Sequence, residues 1–284
     1  MHFRQNVPVV DGERRIMVCF VGSPDDPGYD DAVEHATEAI LAANREAGWK
    51  KKEKRHKRGD FPAVACGISF GKGQPEPMQL GGERQEMMKK LLAMDSFRRI
   101  AGFQSAALRT WFPRCYEEAR RRKAQLLELR PNLRLNFDNS VYLCTTVNFG
   151  PLTWTHIHTD SKNDPSLPCA ITSGGKYNWK LGGHLILWDF NVIFEFPPGT
   201  TILLSSAILR HSNIPVAKGE TRISVTQYTA GSIHRWLQYG GRTEEEFEKA
   251  DPEAYLKEMS EHRAGRWMES LARYSTFEEL RSSA

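Results

Sequence analysis

The second half of the chain consists of short apolar runs separated by glycine, proline and asparagine. Such runs, a few residues long and rich in valine, isoleucine, leucine and threonine, are typical of β-strands in a sandwich. The pattern predicts strands at 141–148, 154–160, 183–189, 192–196, 201–209 and 221–229. Many short strands of this kind indicate a double-layered jelly roll, and ligand sites commonly lie in the mouth of such a barrel.

The first half combines two predicted strands with longer helical patterns. Apolar runs at 16–21 and 63–70 predict the strands. Apolar residues recur at helical spacing after Asp30 or Asp31, which predicts a capped helix that ends near Gly48. Further helices are predicted at 83–100, 105–129, 243–262 and 265–280, with a break or kink at Pro113. We therefore expect an α+β fold, in which N-terminal and C-terminal helices buttress a double-stranded β-helix (jelly-roll) core.

Length and composition are those of a globular protein. At 284 residues, of which 40% are hydrophobic, the chain can bury one large core. We expect a single domain over 1–284, in which 1–134 support the core, 135–240 form the jelly roll and 241–284 add the last helices. No apolar run is long enough to cross a bilayer, and the first residues do not resemble a signal peptide, so we expect no membrane partner.

Charge and cysteine content limit the possible binding partners and the cellular compartment of the protein. The net charge is +4 and the pI is about 8.7, a mild basic excess that permits a nucleic-acid partner without requiring one. The cysteines are odd in number, widely spaced and form no C-x-x-C pair: Cys19, Cys66, Cys115, Cys144 and Cys169. That pattern argues against a disulfide framework and a structural zinc site, and it favours a reducing compartment, the nucleus or the cytosol.

The most specific chemical pattern is His158-Thr159-Asp160 together with a histidine far downstream. Residues two apart on an extended strand point to the same face, so His158 and Asp160 are expected side by side. His211 follows the apolar run 201–209, and only the fold can bring it to the same place. Two histidines and one carboxylate form the facial triad that holds non-haem Fe(II) and leaves coordination positions open. His156 is a rival ligand, but the H-x-D spacing favours His158.

Arg222 strengthens the metal hypothesis. A single H-x-D occurs by chance in many proteins, and an isolated histidine is usually a polar residue with an ordinary hydrogen bond. Arg222 lies about ten residues after His211 and opens the predicted strand 221–229. A guanidinium in that position is suited to grip a dicarboxylate in bidentate fashion.

These residues and their surroundings resemble a known superfamily. H-x-D, a distal histidine and an arginine shortly after it are similar to the Fe(II)- and 2-oxoglutarate-dependent dioxygenases. The segments G-G-H-L-I-L-W-D at 182–189, P-P-G-T at 197–200 and R-H-S-N at 210–213 resemble, more specifically, the TET/JBP-like DNA dioxygenases of the type expanded in mushroom-forming (basidiomycete) fungi. The resemblance covers roughly 135–240, and the N-terminal part matches only loosely.

The resemblance implies an enzyme and assigns roles to particular residues. His158, Asp160 and His211 are the implied metal ligands and catalytic residues, and Arg222 is the implied contact of 2-oxoglutarate. Asn148, on the neighbouring predicted strand, is a candidate contact of the cosubstrate or of the base, with packing or a loop hydrogen bond as its alternative role. The implied reaction oxidises the methyl group of methylated bases in duplex DNA. 5-Methylcytosine would give 5-hydroxymethyl-, formyl- and carboxylcytosine. N6-methyladenine, as a second substrate, would be demethylated with release of formaldehyde.

A base in a duplex must be flipped out before it can reach a buried iron. Asn163 follows Asp160 by three positions, where related enzymes have a polar residue that contacts the base. His156 shares the predicted strand with His158 and is a second candidate, and Tyr228 is suited to stacking. Packing or a loop hydrogen bond is the alternative role of each.

A run of basic residues is the candidate surface for the DNA backbone. Its members are Lys50, Lys51, Lys52, Lys54, Arg55, Lys57 and Arg58. Lysine and arginine contact phosphates as point charges, and such contacts carry no sequence information. The alternative roles of a basic run are a solvated loop and a nuclear-import signal. A second basic cluster at 120–123 predicts a solvated helix face. We expect a nuclear monomer whose partner is duplex DNA with methylated bases.

Two other functions are compatible with the same residues. A 2-oxoglutarate-dependent protein hydroxylase would keep the iron chemistry and change the substrate, and salt-dependent affinity for duplex DNA separates the two. A non-catalytic DNA-binding module on a degenerate barrel is the other alternative. The intact triad with Arg222 argues against it.

Overall fold

The computed structural model describes residues 5–71 and 73–282, and it consists of two antiparallel sheets with helices packed around them. The strands are β1 (Val7–Val10), β2 (Ile16–Gly22), β3 (Ala63–Ser69), β4 (Met78–Gln79), β5 (Cys144–Asn148), β6 (Cys169–Lys176), β7 (Leu185–Leu187), β8 (Val192–Phe194), β9 (Thr201–Leu204), β10 (His211–Asn213) and β11 (Thr221–Tyr228). The helices are α1 (Pro27–Glu46), α2 (Gln85–Leu92), α3 (Asp95–Trp111), α4 (Pro113–Leu129), α5 (Gly231–Gln238), α6 (Glu244–Ala250), α7 (Pro252–Ala272) and α8 (Phe277–Ser282).

The larger sheet has eight strands and takes elements from both halves of the chain. Its order is β1-β2-β9-β6-β11-β5-β3-β4, and the smaller sheet has the order β10-β7-β8. Four strands of the larger sheet, β1 to β4, come from the region that we expected only to support the core. β2 pairs with β9 and β3 with β5, so the N-terminal residues form part of the sheet itself. The mixture of helices with a large antiparallel sheet confirms the α+β class.

Helices α1 to α3 cover one face of the larger sheet. Val33 and Ile40 of α1 and Phe97 of α3 belong to a buried cluster with Val147 of β5 and Val225 of β11. Burying one such side chain contributes roughly 1.5–3 kcal/mol, so this cluster fixes the helices on the sheet. In the described part of the chain, no helix is both long and apolar enough to cross a membrane.

Two helix boundaries test the sequence analysis. α3 ends at Trp111 and α4 begins at Pro113, so the predicted break at this proline is confirmed. The first helix, in contrast, begins at Pro27 rather than after Asp30 or Asp31. Asp26 caps it, because the Asp26 carboxylate accepts a hydrogen bond from Gly28 N at 2.9 Å and proline is favourable in the first turn.

The predicted strand 154–160 is an irregular segment. Its backbone hydrogen bonds go to three separate partners: His156 N donates to Arg58 O, Asp160 N donates to Ser206 O, and His158 pairs with His211. No single neighbouring strand runs beside the segment, and backbone groups that are satisfied in this way do not form a ladder. The predicted strand 201–209 likewise ends at Leu204, after which the chain turns.

Gly175 provides a test of the sheet register. It lies in β6 opposite Arg222 of β11, its φ is +117°, and a Cβ atom there would be 2.1 Å from Thr221 O. We expect Gly175→Ala to lower the free energy of unfolding by about 1–3 kcal/mol or more. The positive φ and the close approach to Thr221 O are both unfavourable for alanine. That loss would lower the melting temperature by roughly 2–4 °C per kcal/mol.

The matched control is Gly81→Ala. Nothing lies within 4 Å of a Cβ atom at Gly81, and its φ is ordinary. We expect this variant to melt within about 1–2 °C of the wild type. Equal melting temperatures for the two variants would contradict the register described here.

Candidate active site

His158, Asp160 and His211 come together in the fold. One possible ligand atom from each lies within 4.8 Å of the others. His158 Nε2 is 3.8 Å from Asp160 Oδ1, and the centroids of the two imidazole rings are 4.3 Å apart. The backbone produces this arrangement, because His158 N donates to His211 O and His211 N donates to His158 O, both at 3.0 Å.

Hydrogen bonds to backbone carbonyls fix the orientation of both imidazoles. His158 Nδ1 is 2.7 Å from His156 O, and His211 Nδ1 is 2.9 Å from Leu209 O. A carbonyl only accepts, so we assign the proton of each neutral ring to Nδ1, which leaves the Nε2 lone pair free for a metal. Burial, with the neighbouring His211, lowers the pKa of His158 to about 4, and burial also lowers the pKa of His211. Both rings are therefore neutral near pH 7.

The donor set fits an iron site. Two neutral imidazoles and one carboxylate are the ligands of the facial triad, and neutral histidine is the form that binds metal. Among the described residues, this is the only group of at least three histidine, cysteine or acidic side chains with such a geometry. His156 is not part of it.

Arg58 contacts the triad, although the sequence analysis assigned it to the DNA backbone. Its guanidinium forms an ion pair with Asp160 Oδ1. The turn that carries it is closed by two hydrogen bonds between His56 and Gly59, and Arg58 O accepts from His156 N at 2.8 Å. These contacts direct the side chain inwards, which the composition of the basic run does not reveal.

The other members of the basic run have different surroundings. Lys50 pairs with Glu83 and Arg55 with Asp60. Lys57 lines the cavity that contains the triad. The remaining three are exposed and lie outside that cavity: Lys51, Lys52 and Lys54.

The triad lies in a cavity of about 1160 Å³. One end of this cavity is enclosed by buried residues, among them Arg222, Thr153 and Phe196. Several exposed lining residues lie in the loop after Asp160 and in helix α5, so the cavity is open to solvent there. A space of this size is sufficient for a small cosubstrate and a further group of comparable size.

Arg222 is the most deeply buried cation of the cavity. It is 1% exposed, and its Nη1 donates to Thr153 O at 2.9 Å. Its Nε has no protein acceptor, and none of the carboxylates in the described residues pairs with it. A buried guanidinium without a counter-ion is costly, so the enclosed end of the cavity has the chemistry of an anion site.

Two polar residues accompany Arg222. Asn148, a candidate contact of the cosubstrate or of the base, lines the cavity and donates from Nδ2 to Ser224 Oγ at 2.8 Å. Ser224 was missed by the sequence analysis. The signal was available, because Ser224 is two residues after Arg222 on the same strand and therefore shares its face.

The three candidate base contacts have different positions. Asn163 and Tyr228 both line the cavity. Asn163 Nδ2 donates to Ser206 Oγ at 3.2 Å, and Tyr228 Oη accepts from Thr146 Oγ1 at 3.4 Å. His156 is exposed outside the cavity, with its ring 4.8 Å from that of Trp154. Because 154–160 is not a strand, His156 and His158 do not share a face. His156 contributes only its backbone carbonyl to the site, through the hydrogen bond with His158 Nδ1.

A buried ion pair beneath the loop after Asp160 was also missed. Arg122 Nη1 is 2.6 Å from Asp164 Oδ2, and Arg122 Nε is 2.8 Å from Glu118 Oε1. Burial lowers the pKa of the Arg122 guanidinium, and the two carboxylates oppose that effect. Arg122 belongs to the cluster 120–123 that we predicted on a solvated helix face, so that prediction is wrong for this residue. Asp164 N donates to Thr229 O, which ties the loop to the residue that follows β11.

Comparisons with known proteins support the fold. No protein-family model and no curated protein matches the chain. The structure of NgTET1 in complex with 5mC DNA is 15% identical over 80% of this chain and 77% of that chain, with a TM-score of 0.57. At this identity the likeness shows a shared fold. Resemblance to the fungal type of these enzymes stays a prediction from the sequence.

Two further neighbours are 2-oxoglutarate and Fe(II) oxygenases with lower TM-scores. One is an oxidoreductase of the 2OG-Fe(II) oxygenase family from Burkholderia pseudomallei, 15% identical over 72% of this chain and 92% of that chain, with a TM-score of 0.35. The other is a viral collagen prolyl hydroxylase from Paramecium Bursaria Chlorella virus-1, 12% identical over 69% of this chain and 90% of that chain, with a TM-score of 0.32. These scores are too low to bear on the fold.

Metal binding tests the ligand set. We expect the wild-type protein to bind one Co(II), followed by visible absorption, and His158→Ala and His211→Ala to bind it more than about 100-fold more weakly. Loss of a hydrogen-bond partner of a metal ligand weakens metal binding by only about 10- to 100-fold, so a larger loss indicates that a ligand itself was removed. His156→Ala is the control and should bind as the wild type does, because its side chain is outside the cavity. Loss of binding in His156→Ala with retention in His158→Ala would contradict the assignment.

The buried ion pair makes a prediction about stability. We expect Arg122→Met to lower the free energy of unfolding by about 3–5 kcal/mol, because Asp164 would remain buried without its guanidinium. Arg121→Met removes an exposed guanidinium that pairs with the same Glu118, and it should cost less than about 1 kcal/mol. Urea denaturation measures both. Equal losses would show that the burial of Arg122 has no energetic consequence.

Proposed function

We propose that this protein is an Fe(II)- and 2-oxoglutarate-dependent dioxygenase that oxidises the methyl group of methylated bases in DNA. 5-Methylcytosine is the proposed principal substrate, oxidised stepwise to 5-hydroxymethyl-, formyl- and carboxylcytosine, and N6-methyladenine is a second one. The observation that carries the proposal is the metal triad and the buried, unpaired Arg222 in one cavity.

The residues present fit both cofactors. His158, Asp160 and His211 would hold Fe(II), and Arg222 would bind the distal carboxylate of 2-oxoglutarate through a bidentate, charge-assisted contact. Bound there, the two cofactors supply oxygen-dependent hydroxylation of a C–H bond, while the protein supplies orientation and exclusion of water.

The surrounding groups hold these side chains in place. The carbonyls of His156 and Leu209 prevent rotation of the two imidazoles. Arg58 pairs with Asp160 and orients its carboxylate. Arg222 is buried, so its attraction for a carboxylate is stronger than that of a cation in solvent.

The open end of the cavity is suited to a nucleobase. A base that is flipped out of a duplex is recognised by hydrogen bonds to its polar edge and by stacking on aromatic rings. Asn163 offers an amide and Tyr228 an aromatic ring in this cavity. NgTET1, which shares the fold, has been solved with 5mC DNA, and that agreement supports DNA as the substrate.

The proposal includes a compartment and an assembly state. All five cysteines are free and buried, which agrees with a reducing compartment and with a nuclear enzyme. We propose a monomer that needs no structural zinc. The two sheets, with the cavity lined by β5, β11 and β10, agree with a jelly-roll arrangement.

The proposal is tested by product analysis. We expect the protein, given Fe(II) and 2-oxoglutarate, to convert 5-methylcytosine in a duplex to its oxidised forms, as measured by mass spectrometry of the nucleosides. A second duplex with N6-methyladenine should lose the methyl group and release formaldehyde. His158→Ala is the inactive control, and His156→Ala should retain activity.

Two results would contradict the proposal in different ways. If succinate forms and neither base changes, the cofactor site is correct and the substrate class is wrong, as for a protein hydroxylase. If no succinate forms with any substrate and the protein still binds Co(II) at the triad, the assignment of 2-oxoglutarate is wrong.

A further inference from the structure

Basic residues predominate in the lining of the cavity. Among the described residues that line it, six are lysine or arginine and two are acidic. The described lining therefore has a net positive charge, which favours an anionic ligand.

Three of the six cations are engaged inside the cavity. Arg222 is at the enclosed end, and Arg58 pairs with Asp160. Arg273 Nη2 is 3.8 Å from Glu118 Oε1, and its Nη1 donates to the backbone oxygen of Glu269 at 3.3 Å. These three have partners or an assigned role in the proposed reaction.

The other three cations, Lys57, Lys162 and Arg235, form what we call the cationic rim. Each is exposed, each lines the cavity, and none makes a side-chain ion pair or hydrogen bond with a described residue. They lie on three separate segments: the loop before β3, the loop after Asp160 and helix α5. Gly231 N donates to Lys162 O at 2.9 Å, which holds the second of these loops against α5.

Position in the cavity lining, together with the absence of partners, distinguishes the rim from the other exposed cations. Many of those pair with neighbouring carboxylates, for example Arg98 with Asp138 and Lys249 with Glu245. Glu269 is the acidic residue near the rim, and it lies on α7. The rim thus presents separated point charges around one opening.

We propose that the cationic rim binds phosphodiester groups of a nucleic acid on either side of the base that enters the cavity. This inference rests on the proposed function. The substrate must leave its anionic groups outside, where the exposed cations are, while its reacting part enters a cavity large enough for a base. A nucleotide extruded from its strand has that distribution of charge, because the backbone stays at the surface.

Lysine and arginine on separate segments are suited to successive phosphates, which they contact as point charges without reading the sequence. The rim also reduces the number of residues in the basic run that we expect to contact phosphates at this site. Of the members of that run, Lys57 lies on the rim and Arg58 pairs with Asp160 inside the cavity.

The test compares two triple variants of the full chain. The rim variant is Lys57→Gln/Lys162→Gln/Arg235→Gln, and the control is Lys90→Gln/Lys218→Gln/Arg109→Gln, which removes the same charge from exposed residues outside the cavity. Affinity for a fluorescent duplex with one 5-methylcytosine is measured by anisotropy over a series of KCl concentrations. Thermal melting of both variants checks that they are folded, and the three single rim variants replace the triple variant if it is not.

We expect the slope of log affinity against log salt to fall by about one for each rim cation removed, with affinity lower by about tenfold or more. The control variant should keep the slope of the wild type. Equal loss in the two triple variants, or wild-type binding by the rim variant, would overturn the proposal. Competition by polyglutamate as effective as that by unlabelled duplex, at equal charge, would also overturn it.

Turnover of the same duplex separates this inference from the proposed function. Rim-dependent binding without oxidation of either base would support the rim and overturn the function. Oxidation by the wild type with unchanged affinity of the rim variant would overturn the rim alone. No binding of duplex by the wild type would overturn both.

Discussion

The pair of backbone hydrogen bonds between His158 and His211 is the constraint on which the site depends. It joins an irregular segment to the smaller sheet, and it sets the two imidazoles beside each other. A slip of one residue in this pairing would turn a ligand to the opposite face, because side chains alternate along extended chain. The segment is held by Arg58 O on one side and Ser206 O on another, so its position is determined by the fold and not by its own secondary structure.

The charged groups of the cavity differ in burial in the way that the proposed chemistry requires. Arg222 is a buried guanidinium, Asp160 of the triad pairs with Arg58, and the cations of the rim are exposed. Electrostatic attraction is strongest where water is excluded, so the buried end suits a small anion that is held tightly. The opening is solvated, and contacts there are weaker and depend on salt.

Sequence patterns predicted the parts of the site that depend on spacing. The H-x-D motif, His211 and Arg222 come together as expected, and the α3–α4 break follows from Pro113. Residues whose role depends on non-local partners could not be predicted. Arg58 and Arg122 belong to basic clusters that look solvated, and only the fold brings Asp160 to Arg58 and Asp164 to Arg122. The role of β2 and β3 in the larger sheet also depends on partners far along the chain.

The most direct test of the account is the binding of 2-oxoglutarate to protein loaded with Mn(II), measured by calorimetry. We predict one molecule bound per chain, and affinity at least about tenfold lower in Arg222→Gln, because a charge-assisted contact is worth roughly 1.5–3 kcal/mol. Pyruvate, which lacks the distal carboxylate, should bind equally weakly to both proteins. Equal affinity of the wild type and Arg222→Gln for 2-oxoglutarate, or no binding by either, would contradict the assignment of the buried arginine and with it the proposed cosubstrate.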